Sequence, residues 1–287
     1  MKLRRIKSHE DLSQIAMMLK AFYEERPDVY GLMDRDQAAY DAYANVIRQW
    51  TVPQGKVLDL GCGTYRTPLL IQQRGFETTG CDIFTEEKLQ EYREKLPNGG
   101  PKLVSFNGLL LPFEDNVFDA VSTLCVFEHI PNVEAILHEI NRVLKPGGRI
   151  IIIGPNLSGP HRAILGLVKL LHGKGRYWQL ESIPDCLFML FRSLELLVEI
   201  TASSSSKFIY VFPVIKNGKI YFEQPDDDAI HLNCPLSYKK WFERHGFVLN
   251  QYNNAGTTSL TRAFNRVFPS LSTIVQIVAQ KRTKGVC

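Results

Sequence analysis

Asp59, Gly61 and Gly63 stand together in "VLDLGCGTYRTPLL", residues 57–70, where an apolar run ends in a glycine turn. A further carboxylate, Asp82, closes the next apolar run in "TTGCDIF". Glycines at the carboxyl end of a strand let backbone approach a ligand, and an acid at the end of the following strand can accept hydrogen bonds from both hydroxyls of a ribose. This pattern selects a nucleoside held without phosphate contacts. The dinucleotide fingerprint is not met, because Arg66 occupies its third glycine position, and no Gly-Lys-Ser/Thr follows to build a phosphate loop. Tyr65 is the odd residue, placed where such a loop usually has another glycine. Its ring is expected to swing out of the crevice and cover the ligand rather than block the site.

Proton chemistry points to two histidines. His231 lies in "EQPDDDAIHLNCP", a few residues after Asp226, Asp227 and Asp228, one of which can orient its imidazole. With an unperturbed pKa of about 6.5, a histidine so placed suits proton removal near neutrality. His231 is therefore the expected general base, the alternative being a histidine packed on the returning chain with the aspartates as a solvated turn. His129, in "FEHI", is the rival base.

Short apolar runs at 56–60, 77–82, 102–106, 118–124 and 148–153 alternate with helical stretches at 67–74, 86–95 and 133–144. Strands alternating with helices predict a parallel sheet with right-handed crossovers. Two amphipathic helices, 10–24 and 36–50, precede it. The order breaks after Asn156. Residues 157–235 hold the apolar stretch "CLFMLFRSLELLVEI" and then "FIYVFPVIKNGKIYFEQ", two β-rich runs around an Asn-Gly turn that read as a hairpin. The alternation resumes with "PLSYKKWFERHGFVLNQY", a helix ended by Gly246 and then a strand, and a last strand near 272–280. The expected organisation is thus N-terminal helices over the cleft (1–54), a core (55–156 and 236–287), and an inserted substrate-binding α+β cap (157–235), since an insertion of that length is more often functional than structureless.

With 287 residues, 45% hydrophobic and 22% charged, the chain can bury a sizeable core. Its formal charge of +4 is too slight to demand nucleic acid or an anionic membrane. No run reaches the length of a spanning helix and the N-terminus lacks a signal-peptide core, which predicts a cytoplasmic location. The six cysteines show no CxxC spacing, against a zinc site or a disulfide framework, so no metal is expected. A homodimer is compatible with all of this.

Taken with "LLLPFEDNVFDAV", "FEHI" and "INRVLKPGGRIIII", in order within about 100 residues, the glycine loop and Asp82 resemble the class I S-adenosylmethionine-dependent methyltransferases, in particular the small-molecule group. The resemblance implies a Rossmann-like fold with a mostly parallel seven-stranded sheet, here with a cap inserted after the fifth strand. It implies S-adenosylmethionine as cofactor, with Asp59, Gly61 and Gly63 against its methionine part and Asp82 on its ribose. Asn107 stands where the family usually has an aspartate bonding the adenine amino group. With Gly108 and Leu109 beside it, Asn107 completes the purine side, and Leu110 adds apolar surface. Cys125 and the residues to His129 match the end of the fourth strand, beside the sulfonium and the substrate. Tyr65, also placed on the cofactor, departs from the family's glycine.

The function so implied is methyl transfer to a small molecule, most simply to a hydroxyl. One alternative is a C-methyltransferase acting on a quinone-like or lipid-linked ring, suggested by the apolar stretch at 186–200. Another is a binding or regulatory protein that keeps the fold without the reaction. The Asn/Asp-Pro-Pro-aromatic site of amine-directed nucleic-acid enzymes is absent, so no nucleic-acid partner is expected.

Overall fold

The computed structural model describes residues 4–26, 29, 37–173, 180–223, 226–253 and 259–283. The apolar runs become strands β1 (Lys56–Leu60), β2 (Glu77–Asp82), β3 (Lys102–Ser105), β4 (Phe118–Leu124) and β5 (Leu144–Pro155), joined later by β8 (Phe247–Tyr252) and β9 (Ile274–Lys281). They form one seven-stranded sheet in the order β3-β2-β1-β4-β5-β9-β8. β9 runs antiparallel to both its neighbours, while β1 to β5 are parallel. Asp59 sits mid-sheet, in register with Gly80 on one side and Ser122 on the other.

Helices cover both faces, and strand alternation decides which residues each face receives. Leu58, Val121, Ile150 and Ile152 pack with Ile136, Ile140, Trp241 and Phe242. Val57, Ala120, Ile151 and Val278 turn the other way and meet Tyr43, Ile47 and Ile71. The helices that supply these partners are α2 (Gln37–Trp50), α3 (Arg66–Gln73), α5 (Val133–Val143) and α8 (Pro235–Arg244), while α4 (Glu86–Lys95) packs beside β2 and β3. α5 illustrates why the sequence folds so: Val133, Ile136, Leu137, Ile140 and Val143 form one buried stripe at helical spacing, and Asn132 caps its start by accepting from the Ala135 amide at 3.0 Å.

The "LKPGG" segment, read from sequence as a turn leading into a strand at 148–153, falls within β5. Phe118 pairs with Leu144 but Ala120 with Arg149, so residues 145–148 bulge from the ladder.

The described residues of 157–235 include α6 (His161–Leu171), α7 (Ile183–Ala202) and a two-stranded hairpin of β6 (Ile215–Lys216) and β7 (Lys219–Ile220). Asn217 and Gly218 have φ of 52° and 75°, as a tight type I′ hairpin requires, although the strands are far shorter than the β-rich runs suggested. The two N-terminal helices part company. α2 joins the core, whereas α1 (His9–Glu25) lays Ile15, Leu19 and Phe22 against Ile220 and Ile230 of the insertion. A helix not anticipated from sequence, α9 (Ser259–Val267), stands between the last two strands.

Candidate active site

The crevice opens at the carboxyl ends of β1, β2 and β4. Gly61 and Gly63 both take left-handed backbone, φ 71° and 62°. A Cβ at Gly61 would lie 2.4 Å from the Val126 side chain, so glycine is required there by the loop after β4. The Gly63 amide donates to Asp82 Oδ2 at 2.6 Å and the Ile83 amide to Oδ1 at 2.7 Å. Asp82 thus ties the first loop to the second. Burial raises its pKa, with the two amide bonds acting in the opposite direction. Asp59 is buried beneath it, accepting from the Tyr43 hydroxyl at 2.6 Å and the Ser122 hydroxyl at 3.4 Å, and burial pushes its carboxyl up to about 6.

Two loop assignments from the sequence, Tyr65 and Asn107, need correction. Tyr65 neither covers nor blocks the crevice: its ring packs edge-on against Tyr92 of α4, centroids 5.6 Å apart, in a cluster with Cys62, Phe84 and Leu89. The apolar side of α4 gives the ring a better surface than the polar loop does. Asn107 is not a free acceptor for an adenine amino group, because its Oδ1 already accepts from the amides of Leu109 and Leu110 at 2.9 and 3.0 Å. That closes an Asx-type turn in which Gly108 has φ 81°. The turn leaves Leu109 and Leu110 exposed and brings Gly108 beside Ile83, where a Cβ would lie 3.3 Å from Ile83 Cδ1. Ile83, which sequence reasoning passed over, follows the acid at the end of β2, and that position is the signal that could have found it.

The end of β4 is strained. Cys125 has φ 54° without being glycine, and burial raises its thiol. The chain then makes a 3-10 turn, Phe127–His129. His129 borders a cleft of about 310 Å³ walled also by α1, through Leu19 and Tyr23, by the residues after β2, Ile83 to Thr85, and by the charged side of α4, Glu87, Lys88 and Glu91. His129 Nδ1 lies 3.3 Å from Asp228 Oδ2, and the Tyr23 hydroxyl donates to the same oxygen at 2.5 Å. Burial opposes protonation of this imidazole, but Asp228, Glu128 and Asp226 together raise its pKa. Glu128 is fully buried; its Oε2 accepts from Asn233 Nδ2 at 2.9 Å, and burial drives it well above the usual carboxylate range.

His231, the expected base, is in the core rather than the crevice. It is fully buried among Phe208, Tyr210 and Tyr238, with Nδ1 3.1 Å from the Phe127 carbonyl oxygen, and burial pushes it down to about 4. Two of the aspartates beside it in sequence act on the other histidine, Asp228 by contact and Asp226 by charge, while Asp227 accepts from the Glu223 amide at 3.1 Å. The backbone carries them there: the amides of Ile230 and His231 both donate to the Glu128 carbonyl, at 2.8 and 2.9 Å, so the returning chain lies along the turn that bears His129.

This sheet order with a reversed seventh strand, and this crevice beyond β1, β2 and β4, define the class I methyltransferase fold. Residues 58–152 match the family model described as a methyltransferase domain. The chain is 37% identical over 99 residues to the sterol 4-C-methyltransferase strm-1 of Caenorhabditis elegans, covering 33% of this chain and 29% of that one. It is 34% identical over 117 residues to the demethylmenaquinone methyltransferase of Thermus thermophilus, covering 39% and 52%. The chain thus spans between about a third and half of the length of these curated relatives. A SAM-dependent methyltransferase structure from Methanosarcina mazei shares the fold, with a TM-score of 0.51 and 18% identity, over 83% of this chain and 98% of that one. Residues 58–152 thus carry a methyltransferase domain, on the fold of the class I S-adenosylmethionine-dependent enzymes. Among the described residues no helix is long and apolar enough to cross a membrane.

The crevice fits S-adenosylmethionine. Each oxygen of Asp82 accepts one amide, which leaves acceptor capacity on each for a ribose hydroxyl. Ile83, Leu109 and Leu110 offer exposed apolar surface for a purine.

Proposed function

We propose that this chain transfers the methyl group of S-adenosylmethionine to a small molecule carrying an ionisable hydroxyl, with O-methylation as the reading the site favours. The observation that carries it is His129, set in the cleft wall with Asp228 at its Nδ1. When bound, the cofactor supplies an electrophilic methyl on a positively charged sulfur. Asp82, Gly63, Ile83 and Leu109 hold and orient it, with Asp59, Gly61 and Cys125 shaping the loops beneath. Asp228, 3.3 Å from Nδ1, and Glu128, 3.8 Å from Nε2, give the imidazole its anionic support, and the imidazole takes the hydroxyl proton as the oxygen becomes nucleophilic. Methyl transfer asks little else of a protein than alignment and exclusion of water. α1 and the inserted cap supply the walls.

A second reading places the new bond on a carbon of a hydroxylated or quinol-like ring. The names of the two curated relatives favour it, and the same His129 serves, because a phenolate also activates the ring carbon beside it. Incubation with methyl-labelled S-adenosylmethionine and a panel of phenols, catechols and quinols separates the readings, since the carbon shift of the transferred methyl distinguishes oxygen from carbon attachment. Label on neither, with the cofactor bound, would contradict both.

A further inference from the structure

The inner face of α7 builds the core of the cap through Cys186, Met189, Leu196 and Ile200. Its outer face is apolar too. Leu187, Phe191, Leu194 and Val198 are each between 49 and 68% exposed. A helix with apolar side chains on two faces, one of them uncovered, presents that second face to a partner. α6 widens the patch with Ile164, Leu165, Val168 and Leu171, drawn close to α7 because Gly166 faces Cys186, where a Cβ would come within 3.2 Å of its sulfur. At roughly 150 Å² per fully exposed large side chain, these partly exposed residues present about 670 Å² of apolar surface. That exceeds the ~300–600 Å² of the largest patch on a typical monomer and lies within the roughly 600–1,000 Å² each partner gives to a stable interface.

The spacing identifies the occupant. Pro184, Leu187, Phe191, Leu194, Val198 and Thr201 follow one another at intervals of three, four, three, four and three residues. This is the seam of a coiled coil, and it reads the same in both directions about a point between Arg192 and Ser193. Such a stripe is complementary to itself under a two-fold axis, which sets Leu187 against the partner's Val198 and Phe191 against the partner's Leu194. Among the described residues of α7 the one cation, Arg192, is paired with Glu195, so this helix shows no cationic rim of the kind that holds a helix on anionic lipid. We infer that a second copy of this chain covers the face, α7 against α7, antiparallel.

Sedimentation velocity on the full chain tests this. A dimer is expected at micromolar concentration, and Phe191→Glu should give a monomer with an unchanged circular dichroism spectrum, since that side chain points outward. A Leu187→Cys/Val198→Cys double variant treated with diamide should become a covalent dimer, whereas Leu187→Cys alone should not, because two copies of position 187 lie several turns apart across the axis. A monomeric wild type, a dimer indifferent to Phe191→Glu, or equal cross-linking of the single and double variants would overturn the proposal. A monomer that floats with vesicles of phosphatidylglycerol and phosphatidylcholine would overturn it as well, assigning the face to lipid.

Discussion

Asp228 Oδ2 lies 3.3 Å from His129 Nδ1 and accepts the hydroxyl of Tyr23 at 2.5 Å, so one oxygen joins the inserted segment, the end of β4 and the N-terminal helix at the crevice. Asp228→Asn removes a negative charge that raises the His129 pKa. Turnover should fall at least ~10-fold, and the acidic limb of kcat/KM against pH should move to lower pH, because an imidazole with less anionic support loses its proton earlier. A rate loss without movement of the limb would mean that Asp228 merely packs.

His129→Ala should reduce turnover by about 10²-fold or more while cofactor affinity, measured by calorimetry, stays within a few-fold. Equal losses in affinity and rate would place His129 on the cofactor instead of the acceptor.

His231→Ala opens a cavity in a closed aromatic box and removes the partner of the Phe127 carbonyl, so it should cost about 3 kcal/mol in denaturant melts. The pH dependence has a definite sign. With its pKa pushed down to about 4 in the fold and near 6.5 when unfolded, His231 binds more protons unfolded, so the stability tied to its neutral form is complete above about 6.5 and is lost as pH falls towards 4. The alanine variant should lack that slope.

Glu128 works in the opposite sense. Its native pKa is raised by burial, so the folded state holds the proton longer and stability declines as pH rises above the ordinary carboxylate range. Glu128→Gln keeps an acceptor for Asn233 and should flatten this decline, melting above the wild type at alkaline pH. A parallel pH profile in the two proteins would contradict the assignment.

The return segment 226–234 should exchange its amide hydrogens slowly before any ligand is added. Ile230 and His231 are bonded to Glu128, and Asn233 bridges to its side chain. Any closing movement of the cap therefore belongs to α6 and α7. Fast exchange of Ile230 and His231 in the free protein would contradict this.

How far the sequence could be read depended on whether the needed partner was local. The strand-end places of Asp59 and Asp82 and the left-handed turn at Gly61 and Gly63 were legible because strand ends and turn backbone are encoded within a few residues, and the alternation of runs foretold the parallel order. Tyr65 was misread because its true neighbour, Tyr92, is on another helix. One of the aspartates at 226–228 was expected to orient His231, the histidine nearest in sequence; a fold that lays residue 230 along residue 128 pairs Asp228 with His129 instead. Asn107 shows the same limit in reverse, since two amides only two and three residues away had already claimed its oxygen.

Titration calorimetry of the cofactor into the wild-type protein and into Asp82→Ala tests the central claim most directly. S-adenosylmethionine and its demethylated product should both bind the wild type at a single site, and the alanine variant should bind ~10- to 100-fold more weakly, the loss of a charge-assisted acceptor worth roughly 1.5–3 kcal/mol, with its melting temperature little changed. Heat-silent titrations with the folded wild type, or equal affinity in the two proteins, would contradict a ribose held at Asp82 and with it the cofactor site described.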